Sequence, residues 1–311
     1  VKSLSNLKFS IPFIKYRWLT YGISIIITLS TFIMYGVKGL NYGIDFRGGI
    51  MMEVKTPAPA NIADLRKTLG NLELGEIVLQ EYGSPQDLLI RADSQGGDSA
   101  GQKQAIEKIK NALGSDVEVR RIETVGPKMG EELISNGIQA IIWCLVAMLV
   151  YIWLRFEWHF GLCAIIALIH DSIAVFGLYS VFGIEFNTTA IVAILTTIGY
   201  SINDTVVIFD RIRENLRKYK KMADADLLNL SINETLSRTI LTSGSTLVAL
   251  FGLYFFGGEV IATYSLPIIV GVTVGTISSI CLASPLLLNF NLRAGIEEKA
   301  PTPNNMEDAV L

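Results

Sequence analysis

The sequence predicts a polytopic α-helical membrane protein of six transmembrane helices, with an α+β, ferredoxin-like external domain between the first and second spans. Three observations carry this. Half of the residues are hydrophobic and 18% are charged. Six apolar runs approach or exceed the roughly 18 residues that mark a bilayer-crossing helix. Between the first two runs the pattern changes to short mixed elements punctuated by turn residues.

The runs occupy residues 18–37, 133–154, 160–182, 188–209, 240–256 and 261–288, the fifth being the shortest. The first is too long for the apolar core of a signal peptide, and Gly36-Val37-Lys38 is a poor cleavage site, so it reads as a retained span. In the inserted segment, 50–55, 77–81, 88–92 and 117–125 read as strands, while 60–69 and 102–113 read as helices. A turn is expected at Gly83-Ser84-Pro85 and a flexible connector at 96–101. The order β-α-β-β-α-β is the ferredoxin-like split unit. The chain thus divides into an N-terminus (1–17), a first span (18–37), an external domain (38–132) and a five-span bundle (133–288) with a loop at 210–238. A polar tail (289–311) has the composition of a disordered segment.

Basic residues set the expected orientation. Lys8, Lys15 and Arg17 precede the first span, Arg155 follows the second, and Arg211, Arg213, Arg217, Lys218, Lys220 and Lys221 follow the fourth. The loops 183–187 and 257–260 carry neither Lys nor Arg. The positive-inside rule then puts both termini in the cytoplasm and 38–132 on the opposite side, long translocated segments being exempt from it. The basic segment after the fourth span reads as a stop-transfer anchor, or as a surface for anionic headgroups or a cytoplasmic partner. A net charge of −3 gives no support to a nucleic-acid partner. Cys144, Cys163 and Cys281 fall within spans and read as packing residues, with none in the external domain to form a disulfide. No metal-ligand cluster or nucleotide motif points to a cofactor.

The candidate functional residues are polar groups where lipid is expected. Asp204 lies inside the fourth run, where a carboxylate costs roughly 2.5–3.5 kcal/mol on insertion scales and usually serves an ion or proton pathway. Thr197, Ser201, Asp204 and Thr205 recur at helical spacing, a stripe that must face other helices or a wet cavity. A polar seam that only joins helices is the alternative. Asp171 sits mid-span in the third run. His170 beside it is expected to face another direction, either titrating or packing. Asn203 supports the site or joins a helix contact. Arg238, at the start of the fifth span, reads as a cation reaching toward Asp204 or as a snorkelling interface anchor. Gly271 and Gly275 form a small-xxx-small pair, a common helix-packing surface that also suits a partner face.

Two junctions frame the inserted domain. Gly43, Asp45, Gly48 and Gly49 belong to the string GIDFRGG, whose glycines suggest positive φ or close approach. A phosphate-cradling loop is rejected there, because no P-loop lysine-serine follows and no helix is expected to begin. Gly126 and Pro127, with Gly130, read as an elbow into the second span.

Three strings together resemble the SecD/SecF family of the bacterial protein-export machinery: GIDFRGG at 43–49, the elbow Val125-Gly126-Pro127 with Gly130, and GYSINDTVVIFDRIRE at 199–214. The resemblance covers nearly the whole chain, and the short external domain with the Asn203-Asp204 pair favours the SecF branch. It implies a half-transporter of the resistance–nodulation–division type in the bacterial inner membrane, completed by SecD into a twelve-span unit. Such a unit uses the proton gradient to pull or release secreted polypeptides. The implied partners are SecD, the SecYEG translocon, SecA indirectly, YajC and the secreted polypeptides, with no enzymatic activity and no cofactor. By the same resemblance Asp204 is the proton-coupling acid, Arg238 its basic partner, and His170-Asp171 a recurring pair.

Rival readings stay open. Asp171 and Asp204 on separate spans also suit an intramembrane aspartyl protease, in which two carboxylates share a proton. The Gly-x-Gly-Asp string of such enzymes is replaced here by Tyr200-Ser201-Ile202-Asn203-Asp204. An exporter of lipids or small molecules, and a scaffold that stabilises SecD without carrying protons, are the others.

Overall fold

The computed structural model describes residues 11–293 apart from 73, 76, 83, 94–98 and 115. Gly83 of the expected turn, residues 96–98 of the expected connector and the tail from 294 lie outside the described residues, while 99–101 of that connector are already helical.

Among the described residues, six helices are long and apolar enough to cross a membrane. The first, α1 (Arg17–Lys38), stops at Gly39, whose φ of 69° no β-carbon-bearing residue adopts readily. The chain then forms β1 (Asn41–Tyr42), the single turn α2 (Ile44–Arg47), β2 (Gly49–Lys55), α3 (Ile62–Gly70), β3 (Ile77–Tyr82), β4 (Ser84–Ala92), α4 (Ser99–Leu113) and β5 (Glu118–Val125). The second and third spans are α5 (Pro127–Arg155) and α6 (Trp158–Phe182). After β6 (Glu185–Phe186) come α7 (Thr188–Lys218), α8 (Asp224–Phe256) and α9 (Gly258–Ser278).

The inserted domain is the ferredoxin-like unit that the sequence pattern predicts. Its sheet runs β3-β4-β2-β5, and all three pairings are antiparallel. Along β2 the alternation buries Ile50, Met52 and Val54 against Leu69 of α3 and Ile109 of α4. The opposite sheet face, carrying Met51 and Glu53, looks toward the ends of the spans across a cleft of about 370 Å³.

Two expectations are corrected. The segment 210–238 begins as the basic helical continuation of the fourth span that the sequence suggests, but it is helical almost throughout: α7 and α8 extend through it, leaving 219–223 between them. Asp224 and Asp226 suit the first turn of α8, and Leu227, Leu228, Ile232 and Leu236 give it a buried face at helical spacing. A helix also does begin in the GIDFRGG segment, because Gly43 O accepts from Phe46 N and Arg47 N at 3.1 Å each. It is one turn long and carries Asp45, so the rejection of an anion cradle stands.

The glycine expectation holds at particular positions. Gly48 and Gly49 have φ of 73° and 131°, and a Cβ on Gly49 would lie 2.5 Å from Ala92 O. A Cβ on Gly130 would lie 2.7 Å from Phe46 O, so this residue sets how closely α5 approaches α2. Gly126 is extended (φ −73°, ψ 151°) with open space around it, and Pro127 opens α5 without losing a helical donor.

The sixth span is not a plain helix. After Ser278 it makes a π turn, Ser279–Ala283, and then a short turn, α10 (Ser284–Leu286). Pro285 has no N–H to give to Cys281 O four residues back, and Thr20 of α1 donates to that carbonyl instead at 2.9 Å. Ser284 Oγ donates to Ser279 O at 2.8 Å.

Gly130→Val should destabilise the detergent-solubilised protein by about 1–3 kcal/mol, the usual range for overpacking. Gly126→Ala should stay within about 0.5 kcal/mol. Thermal unfolding followed by exposure of the buried Cys163 thiol separates the two.

Candidate functional site

The polar stripe of α7 faces inward as its spacing predicts. Thr197, Ser201, Asp204 and Thr205 are all buried, with Asp204 only 3% exposed, and they meet α6, α8 and the sixth span. The approach is close because α9 is bare where it crosses them. A Cβ on Gly271 would overlap Thr197 Oγ1, and one on Gly275 would sit 2.9 Å from Ser201 Cβ. The small-xxx-small pair is therefore a helix-packing surface, as its spacing suggests, but it is used inside the chain and not as a partner face.

Asp204 is held by hydroxyls. Its Oδ2 accepts from Ser243 Oγ at 3.1 Å and from Thr276 Oγ1 at 3.5 Å, and those two hydroxyls lie 2.7 Å apart. Asp171 is more completely enclosed, with no solvent exposure. Its Oδ2 accepts from Ser201 Oγ and Ser278 Oγ, both at 2.7 Å, while Oδ1 faces His170 Nδ1 at 3.0 Å. Adjacent residues do therefore touch here, against the expectation that His170 points elsewhere. His170 Nε2 is buried without a hydrogen-bond partner. Between the two acids, Thr205 Oγ1 and Ser279 Oγ share a bond of 2.8 Å, and Ser279 also donates to Ser201 O at 3.2 Å. The π turn begins at Ser279, so the irregularity in the span lies in the site itself, where such turns recur.

Two candidates are exposed. Asn203 is exposed on the opposite side of α7, in line with Thr196 and Gly199. Arg238 is exposed on α8 and near enough to act on Asp204 through its charge, but the hydrogen-bond partners of Asp204 among the described residues are Ser243 and Thr276. Ser243, Thr276, Ser278 and Ser279 are the site residues that sequence reading missed. Among the described residues no group of three or more His, Cys, Asp and Glu side chains could hold a metal ion. Cys144, Cys163 and Cys281 are free.

Removing Ser201 and Ser278 hydroxyls together leaves an enclosed carboxylate with one partner. Ser201→Ala with Ser278→Ala should cost about 2–4 kcal/mol, from roughly 1–3 kcal/mol for each lost donor with incomplete additivity. The single variants should cost less, and chemical denaturation in mixed micelles reads the difference.

The chain was compared with known proteins. Residues 105–293 match the family described as Protein export membrane protein SecD/SecF, C-terminal, and residues 36–56 match the SecD/SecF GG Motif. A protein translocase subunit SecF from Rickettsia bellii is 45% identical over 91% of this chain and 94% of its own length. One from Desulfurispirillum indicum is 44% identical over 91% and 92% respectively. Among solved structures, SecDF from Thermus thermophilus, described as a translocon-associated membrane protein, matches with a TM-score of 0.81 at 34% identity. The match covers 93% of this chain and 39% of that one, so the chain spans about two-fifths of the SecDF polypeptide. SecDF in a super-membrane-facing form matches with a TM-score of 0.67 at the same identity. The relatives are named as translocase subunits and not as enzymes, and their likeness extends over both junctions, the inserted domain and the span that carries Asp204. This chain belongs to the SecD/SecF family of protein-export membrane proteins, in its SecF branch.

Proposed function

We propose that the chain works beside SecD in the bacterial cytoplasmic membrane as a proton-coupled subunit that promotes late steps of polypeptide export. The observation that carries the reading is the pair of buried carboxylates, Asp171 and Asp204, held by hydroxyls from α7, α8 and the sixth span. A bundle that needed only cohesion would gain nothing from two acids in place of apolar side chains.

In this reading Asp204 takes up and releases the proton. Deprotonated, it attracts the Arg238 guanidinium toward the space between α7 and α8; neutral, it is content with Ser243 and Thr276. The switch changes how those helices pack, and the inserted domain follows. Asp171, with His170 and the hydroxyls of Ser201 and Ser278, relays or anchors the charge across α6, α7 and the sixth span.

The exposed line of Thr196, Gly199 and Asn203 on α7 is the proposed meeting face for SecD. A mid-span amide turned to lipid would be expensive, whereas a second helix bundle can satisfy it. SecYEG, with SecA acting through it, YajC and the secreted polypeptide complete the proposed surroundings. The inserted domain faces outward and both termini face the cytoplasm, in keeping with the distribution of Lys and Arg.

Asp204→Asn keeps size and polarity but cannot ionise. In membranes where it is the sole SecF, export of a secreted protein should lose its gradient-stimulated component while the subunit still co-purifies with SecD. Full gradient stimulation in that variant would remove Asp204 from proton coupling and leave the scaffold role.

A further inference from the structure

The inserted domain and the bundle are joined by a compact set of contacts that the proton chemistry above does not use. Strand β1 pairs in parallel with β6, and Gly43 N donates to Phe186 O at 2.9 Å. The Phe186 ring is the hub of an aromatic cluster, with Phe46 at 5.6 Å, Phe176 at 5.7 Å and Tyr179 at 5.3 Å between centroids. Asp45 Oδ2 accepts from both Thr188 N (2.9 Å) and Thr188 Oγ1 (2.6 Å). It thereby satisfies an orphan donor and places negative charge at the N-terminus of α7. Arg91 of β4 forms an ion pair with Glu185 of β6, both side chains being less than one-fifth exposed.

Each half of this joint is stiff. On the bundle side Glu185 and Phe186 lead through one capping residue, Asn187, into α7, which continues unbroken past Asp204. Sixteen residues separate Thr188 from Asp204, about 24 Å of helix, so a displacement at the acid reaches the joint along one rod. On the domain side Arg91 stands on an interior strand, hydrogen-bonded to β3 and to β2, so a load on it is shared by the sheet. Beside the joint, the sheet face of Met51 and Glu53 and the span ends at Thr188 and Tyr264 line a cleft of about 370 Å³.

We infer that Arg91–Glu185, together with Asp45 on the first turn of α7, is the coupling element that turns displacement of the Asp204 helix into motion of the inserted domain. The inference rests on the reading of Asp204 as the proton-coupling acid and adds positioning residues to it. The charged groups facing Glu185 are Arg91 from β4, Asp45 from α2 and Glu123 from β5. Burial raises the Glu185 carboxyl above its ordinary value, Arg91 pulls it back, and the two carboxylates push it up again. Loss of Arg91 therefore strands a half-buried acid among acids, and an exchanged pair should be accepted in its place.

The test compares Arg91→Glu, Glu185→Arg and the double exchange, each assembled with SecD in native membranes, with Asp204→Asn alongside. Gradient-stimulated export is one readout, and amide hydrogen exchange across the first turn of α7 is the other. The expected result is faster exchange at Thr188 and Thr189 and loss of gradient-stimulated export in both single variants, with both properties restored in the double exchange. Unchanged exchange in the single variants would overturn the joint. Faster exchange with normal gradient stimulation, or a double exchange no better than its parents, would overturn its role in coupling. Asp204→Asn should lose stimulation with wild-type exchange at α7. Retained stimulation there would defeat the proton reading, whatever the exchange data show.

Discussion

A carboxylate taken out of water must be given hydrogen-bond donors, and inside a lipid-embedded bundle only neighbouring helices can supply them. Asp171 and Asp204 impose that condition twice. Ser201 and Ser278 answer it for the first acid, Ser243 and Thr276 for the second. Their hydroxyls reach because α9 has glycine where α7 presents Thr197 and Ser201, so the two helices approach more closely than larger side chains would allow. The π turn at Ser279 and the replacement of the missing Pro285 donor by Thr20 belong to the same region. The site is thus an arrangement of four spans around two acids, and no single helix specifies it.

The same helix that supplies Ser201 and Asp204 begins at the joint with the inserted domain. Asp45 completes the cap of α7, and the Phe186 cluster fixes the segment just before it. The GIDFRGG segment is then understandable residue by residue. Gly43 lets the backbone pass Glu185, Asp45 caps, Phe46 packs, and Gly48 and Gly49 turn the chain into β2 where a side chain would strike Ala92 O. Chemistry in the membrane and position outside it share one covalent rod.

Much of this was legible in the sequence. Apolar run length located the six spans, and period-2 against period-3.6 patterning gave the order of the inserted domain, because burial on one face writes itself into the chain. The inward stripe on α7 was readable for the same reason. The hydroxyls on α8 and the sixth span were not. Serine and threonine in apolar helices also bond their own backbone, as Thr276 does to Val272 O and Ser278 to Gly275 O, so their presence alone does not mark a site. Arg91 and Glu185 are 94 residues apart and lie in elements of ordinary composition, so their pairing exists only once the chain has folded. The exposure of Arg238 likewise depends on how α8 is rotated, which spacing cannot fix.

The central claim is that Asp204 changes protonation within the assembled bundle, and an infrared titration reads that event without relying on export. The protein reconstituted with SecD would be followed through the carbonyl stretch of protonated carboxyl groups as pH is stepped, in wild type, Asp204→Asn and Asp171→Asn. The account predicts a titrating band that disappears in Asp204→Asn and survives in Asp171→Asn, because the two acids have separate hydroxyl partners. A spectrum in which no titrating carboxyl band is lost with Asp204 would contradict it.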